Sequence, residues 1–127
     1  MSDTYYAIAD EDLKSGRPIY VKSNGHIELA DADVMPEAGV AGLAIIDAAS
    51  GDTAAYATDG FLTLSDWSSA TNPSSTLLTP GTVYFLVSGY VVGMLTPTPP
   101  TSGYVVQIGR ALSTTTLEIE IQQSIKL

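Results

Sequence analysis

Apolar positions recur at short period along this chain. In "TTLEIEIQQSIKL" (115–127), Leu117, Ile119, Ile121, Ile125 and Leu127 fall on one side and only Gln123 interrupts them. Glu118, Glu120, Gln122, Ser124 and Lys126 fall on the other, the period of two that marks a strand. "GYVVQIGRALS" (103–113) reads as its antiparallel partner, with Gly109 inviting a bulge or a close backbone approach. "TVYFLVS" (82–88) is apolar without alternation, as expected of a strand covered on both faces. In "GVAGLAIIDA" (39–48) periodicity leaves helix and strand open, and the glycines favour a strand.

Turn residues set registers. In "RPIYVKSNGHIELA" (17–30) a two-residue Asn24-Gly25 loop would set Val21 opposite Glu28 and mix the faces. A three-residue loop instead pairs Val21 with Ile27 and Ile19 with Leu29. Tyr20, Lys22, His26 and Glu28 then form a wet face, and Gly25 takes the left-handed position. In "TAAYATDGFLTLSDW" (53–67) a two-residue Asp59-Gly60 loop predicts a second hairpin, with Ala57 opposite Leu62 and Ala55 opposite Leu64.

No segment sustains a helical period; "DEDLKSG" (10–16) and "SDWSSATNP" (65–73) suit single helical turns at most. Short strands punctuated by Gly, Pro or Asn about every ten residues predict an all-β fold, a compact antiparallel sandwich or barrel, jelly-roll-like. Residues 1–15 precede the first hairpin and read as an extended N-terminal arm without a strand partner of its own. Residues 16–127 read as a single β-domain, in keeping with a chain of 127 residues.

Charge narrows the partners. The net charge is −9, with five basic residues at Lys14, Arg17, Lys22, Arg110 and Lys126. Phosphate recognition needs clustered cations, so nucleic acid is not an expected partner, and anionic membranes are poor ones. The most apolar window, "VYFLVSGYVVGML", has 13 residues and two glycines, too short for the roughly 20 residues of a membrane helix. Acidic residues before the first Lys, and the lack of a continuous apolar run, also exclude a secretory signal of the usual form at the start of the chain. The expectation is a chain with no membrane partner.

Candidate chemistry is sparse. There is no Cys, which leaves no disulfide, thiolate ligand or thiol nucleophile. The one histidine, His26, flanks a turn, and no G-x-S-x-G elbow is present to pair with it. Carboxylates gather at Asp10-Glu11-Asp12 and in "DADVMPE" (Asp31, Asp33, Glu37), but the second run lacks the D-x-D-x-D-G core of a calcium loop. No glycine run is followed by the Lys and helix start of a phosphate loop. No catalytic residue, metal site or cofactor is expected. "PTPP" (97–100) reads as an extended loop, since proline fixes φ and lacks the N–H of a central strand. Arg110 is the sole charge between Asp66 and Glu118, so it stands either outward or paired at an interface. Trp67, in a Ser-rich loop, suits the core or a contact anchor.

The order of these elements resembles small capsid cement, or decoration, proteins of tailed bacteriophages. The likeness rests on "GRPIYVKSNGHIELADADVMPEAGVAGLAIIDAASG", "TDGFLTLSDW", "LTPGTVYFLVSGYVVGMLT" and "GYVVQIGRALSTTTLEIEI", and covers roughly residues 16 to 121. The resemblance implies a β-domain that forms homotrimers on the outer capsid surface of the virion. There it binds the major capsid protein, ties neighbouring shell subunits together and performs no reaction. In that setting Tyr5, Tyr6, Asp10 and Asp12 are the candidate capsid contacts, the tyrosines offering area at low entropy cost. Trp67, Pro97, Pro99 and Arg110 are the candidate trimer-interface residues. Related patterns also look like modules of phage tail fibres, so a receptor-binding β-module is the alternative.

Overall fold

The computed structural model describes residues 4–127 and is all-β: no helix forms among the described residues. One five-stranded antiparallel sheet has the order β1-β5-β4-β2-β3. Its strands are β1 (Thr4–Ile8), β2 (Pro18–Val21), β3 (Ile27–Leu29), β4 (Gly42–Ala44) and β5 (Thr53–Ala57). A second has the order β6-β11-β10-β7-β8, built from β6 (Asp59–Thr63), β7 (Val83–Leu86), β8 (Leu95–Thr96), β10 (Gln107–Ala111) and β11 (Thr116–Glu120). A two-stranded ladder joins β9 (Tyr104–Val105) to β12 (Ile125–Lys126). The sheets stack as a sandwich, and neither closes into a barrel.

Alternation explains the two cores. In β5, Ala57 and, in β4, Leu43 face the second sheet, where they meet Leu62, Leu86, Ile108, Leu117 and Ile119. Ala44, one position from Leu43, and Ala54, three positions from Ala57, face the other way into a smaller cluster with Ile19, Ile27, Leu29 and Leu13. Each buried Leu or Ile contributes roughly 1.5–3 kcal/mol of apolar transfer, which is what holds both layers in register. Trp67, Ala70 and Leu78 close the main core from the long connection between β6 and β7.

The first hairpin has the predicted register: Ile19 pairs with Leu29, Tyr20 with Glu28 and Val21 with Ile27. Gly25 sits at φ 87°, the left-handed turn position. Its faces are less clean than the pattern predicts. Val21, next to the turn, is exposed, whereas Tyr20 on the expected wet face is buried with its hydroxyl donating to Glu28 Oε1 at 3.0 Å.

The second hairpin does not form. After β5 the chain bends at Thr58 and crosses to the other sheet, where β6 pairs with β11 and sets Leu62 opposite Leu117. The physical reason is burial. As a hairpin, Leu62 and Leu64 would face only Ala57 and Ala55, whereas crossing over lets Leu62 pack on leucine and isoleucine while β5 pairs with β1. Gly60 supplies its positive φ of 88° inside a strand, not at a hairpin tip.

The N-terminal segment is also corrected. Thr4–Ile8 is not an unpaired arm: it runs antiparallel to β5 from Thr4 opposite Ala57 to Ile8 opposite Thr53. Ala9 and Leu13 are fully buried in the smaller cluster. Residues 1–3 of the expected arm lie outside the described residues. At the other end, the alternation of Leu117 and Ile119 points both into the core as predicted, but Ile125 and Leu127 are exposed. The bulge at Gly109 is where the sequence places it. The register against β7 slips between Gln107 and Gly109, and a Cβ at Gly109 would collide with the Glu118 carbonyl.

Candidate functional site

Polar side chains first tie the N-terminal segment to the first hairpin. Asp10 Oδ2 accepts from Lys22 Nζ at 2.7 Å and its Oδ1 lies 2.7 Å from His26 Nδ1. Lys22 and then His26 hold the Asp10 carboxyl below its ordinary value, and Asp10 in turn raises Lys22. Glu11 Oε1 accepts from the Leu29 N–H at 2.8 Å, and Asp12 Oδ1 from the Ser50 N–H at 2.9 Å. Tyr20, desolvated and bonded to Glu28, is pushed up to about 12. His26 is thus a partnered side chain beside a turn. Arg17 performs a similar service elsewhere, donating to the Gly93 and Val92 carbonyls at 2.9 and 2.8 Å and pinning the loop before β8; burial lowers its pKa.

These contacts place the sequence-predicted residues. Asp10 and Asp12 are spent on internal bonds and anchor the chain to itself. Tyr5 stacks on Tyr56 with ring centroids 5.6 Å apart, while Tyr6 is 71% exposed on β1. Trp67 has no exposed surface: it is a core residue whose Nε1–H donates to the Thr115 carbonyl at 2.9 Å. A side chain with no accessible surface cannot anchor a contact between subunits. Pro97 and Pro99 are exposed, and Pro97 borders a shallow hollow of about 200 Å³ with Pro73, Leu77 and Tyr84. Arg110 is exposed on the outer face of the second sheet, opposite Glu118 on one side and Val83 on the other. The expected interface residues are therefore not gathered: Trp67 is inside, the prolines sit on a loop, and Arg110 lies on a sheet face.

That sheet face is what sequence reasoning missed. Phe61, 63% exposed, stands opposite Glu118, and Asp59 stands opposite Glu120. Partial burial and the neighbouring Glu120 raise the Glu118 carboxyl above its ordinary value. The missed signal was available: Phe61 alternates with Leu62, so burying Leu62 turns Phe61 outward. Other depressions are shallow and open. One of about 250 Å³ lies over Lys14, Asp47 and Ala48, where Asp47 Oδ1 accepts from the Ser15 N–H at 2.9 Å.

No protein-family model and no curated protein matches the chain. Solved structures do. One, from the capsid of Myoviridae phage XM1, superposes with a TM-score of 0.53 at 17% identity, over 93% of this chain and 82% of that one. The chain has that fold. The head fiber gp8.5 N base in bacteriophage phi29 matches over 100% of both chains at 14% identity, with a TM-score of 0.45, too loose to carry an argument.

Proposed function

We propose that this chain is a capsid decoration protein of a tailed bacteriophage, a structural component of the phage head that performs no reaction and needs no cofactor. It binds the outer surface of the shell as a homotrimer and bridges neighbouring copies of the major capsid protein. The observation that carries the reading is the fold shared, across nearly the whole chain, with a chain of a phage capsid. The surface is consistent with it. Its exposed apolar side chains are spread over strands and loops alike, among them Tyr6, Met35, Phe61, Tyr90 and Ile125, and do not line one enclosed cavity.

Such scattered contacts bind tightly only in combination. Tying several modest contacts into one rigid trimer raises avidity by roughly 10²–10⁴ over any single contact, provided that the geometry lets all engage together. The test mixes purified protein with capsids that lack decoration. Saturation at a stoichiometric level in multiples of three, with better survival on heating, is the expected result. Capsids that ignore the protein while host cells bind it would replace this reading by the tail-fibre, receptor-binding one.

A further inference from the structure

The sandwich has four edge strands: β1 and β3 in the first sheet, β6 and β8 in the second. Two, β3 and β8, are covered over part of their outer side. Along β3, the Asp10 N–H donates to the Ile27 carbonyl at 3.0 Å, Glu11 caps the Leu29 N–H, and Ala9 bridges to Ile27. Ala9 lies just past the end of β1, and among the described residues no backbone hydrogen bond crosses the outer side of Thr4–Ile8. Along β8, the Asn72 N–H donates to the Leu95 carbonyl and the Leu95 N–H to Ala70, both at 2.8 Å, with Thr71 bridging. On β6, among the described residues, no backbone hydrogen bond crosses the outer side.

The orientation of its free groups follows from alternation. The Leu64 N–H bonds to the Thr115 carbonyl at 3.0 Å, on the β11 side. Backbone groups alternate along an antiparallel strand, so those of Phe61 and Thr63 face outward, away from the sheet. β6 carries neither Lys nor Pro, the residues that usually blunt an edge. Its outer face is acidic around one aromatic. Asp59, Glu118 and Glu120 surround Phe61, and Arg110 is the one cation that β6, β7, β10 and β11 contain.

We propose that β6 accepts an extended segment of another protein as an added strand, and that this segment carries a Lys or Arg two residues from an apolar side chain. Side chains two apart share a face, so the cation lies beside Asp59, with Glu120 one strand further in, while the apolar group covers Phe61. Backbone bonds to Phe61 and Thr63 supply the rest, as in other cases of strand addition. A second copy is the wrong occupant, because edge-to-edge pairing would bring two sets of these carboxylates into one sheet of a chain already at −9. The proposal stands or falls apart from the capsid reading, since its test needs no capsid.

The probe is an end-capped peptide repeating Thr-Lys-Thr-Val, added at low salt to the isotope-labelled full chain, with a Glu-for-Lys peptide as control. Saturable binding that slows amide exchange at Phe61 and Thr63 is expected, roughly tenfold tighter than for the acidic peptide. Thr63→Pro removes a backbone donor that already faces solvent and one exposed hydroxyl bond to Thr116, so the backbone ladder to β11 is kept, and peptide binding is lost in Thr63→Pro but not in Thr63→Val, which lacks the same hydroxyl. Equal binding of the two peptides, unchanged binding to Thr63→Pro, protection elsewhere, or no binding at millimolar peptide would each overturn the proposal. Concentration-dependent protection of Phe61 and Thr63 without peptide would assign the edge to a second copy and also overturn it.

Discussion

Replacing Trp67 separates a core role from an interface role. The side chain is completely buried, and its ring donates to the Thr115 carbonyl. Gly16 backs it so closely that a Cβ there would lie 2.9 Å from Trp67 Cζ3. Trp67→Phe keeps an aromatic in place but leaves a void and removes one of the two donors to the Thr115 carbonyl, which keeps the Leu64 N–H. One lost hydrogen bond costs about 0.5–1.5 kcal/mol, and the lost ring volume adds to it, so about 2–3 kcal/mol is expected. With an unfolding entropy of roughly 2.1 cal/mol/K per residue, a 127-residue chain loses about 4 °C per kcal/mol, or about 7–11 °C here. Calorimetry measures the shift. Trp67 is also the only tryptophan, so its emission reports on this seat alone. That emission should be blue-shifted, poorly quenched by acrylamide and constant on dilution, with a red shift only on unfolding. Free quenching in the native protein, a spectrum that moves as an oligomer dissociates, or a melting change below about 2 °C would refute the core assignment.

Other outcomes follow from single contacts. Gly109→Ala places a methyl group against the Glu118 carbonyl, so the protein should be recovered largely unfolded or with a melting temperature far below wild type. For Asp10, the carboxyl is lowered in the folded state, so the unfolded state binds more protons in acid and stability rises with pH. Its contribution is complete above the ordinary Asp value of about 3.9 and fades as pH falls through the lower folded value, so melts of wild type and Asp10→Asn should converge in acid. Glu118 runs the other way: its raised carboxyl makes the ionised form unfavourable in the fold, so Glu118→Gln should melt higher than wild type at neutral pH and lose that advantage below about pH 4. Tyr6→Ser, on an exposed β1 position, should leave the melt unchanged while weakening capsid uptake if β1 lies on the shell.

What was legible in the chain was local. The Asn24-Gly25 loop fixes its own register because a one-residue slip would expose Ile19, Ile27 and Leu29 together, and no distant strand can offer them a better bargain. Gly109 was legible for a similar reason, since an isolated glycine in an apolar strand marks a close approach wherever the partner comes from. The Asp59-Gly60 turn misled because the local signal was outweighed by a strand fifty-odd residues away, against which Leu62 buries more than any hairpin partner could cover. The N-terminal segment misled in the same way. Nothing near Thr4–Ile8 in the sequence announces β5, where Tyr56 stacks on Tyr5 and Ala55 stands opposite Tyr6.

The long neutral stretch between Trp67 and Gly109 shows why composition alone misplaces a surface. Its lack of charge suggests a face made for partners, yet Leu78, Tyr84, Leu86, Leu95, Val106 and Ile108 are spent on the chain's own core. Its loops avoid charge because hydroxyls satisfy the backbone instead. Thr71 Oγ1 donates to the Trp67 carbonyl at 3.0 Å and accepts from the Ser75 N–H at 3.0 Å, Ser74 Oγ donates to Ser68 at 2.9 Å, and the Tyr84 hydroxyl accepts from the Thr79 N–H at 3.0 Å. Such short neutral bonds hold irregular backbone without the desolvation penalty of buried ions. The large apolar side chains that the stretch leaves exposed are Leu77 and Tyr90, and further surface comes from the exposed tyrosine of β1 and from the Phe61 edge of β6, an edge that exists only because its strand leaves the hairpin that the local sequence proposes.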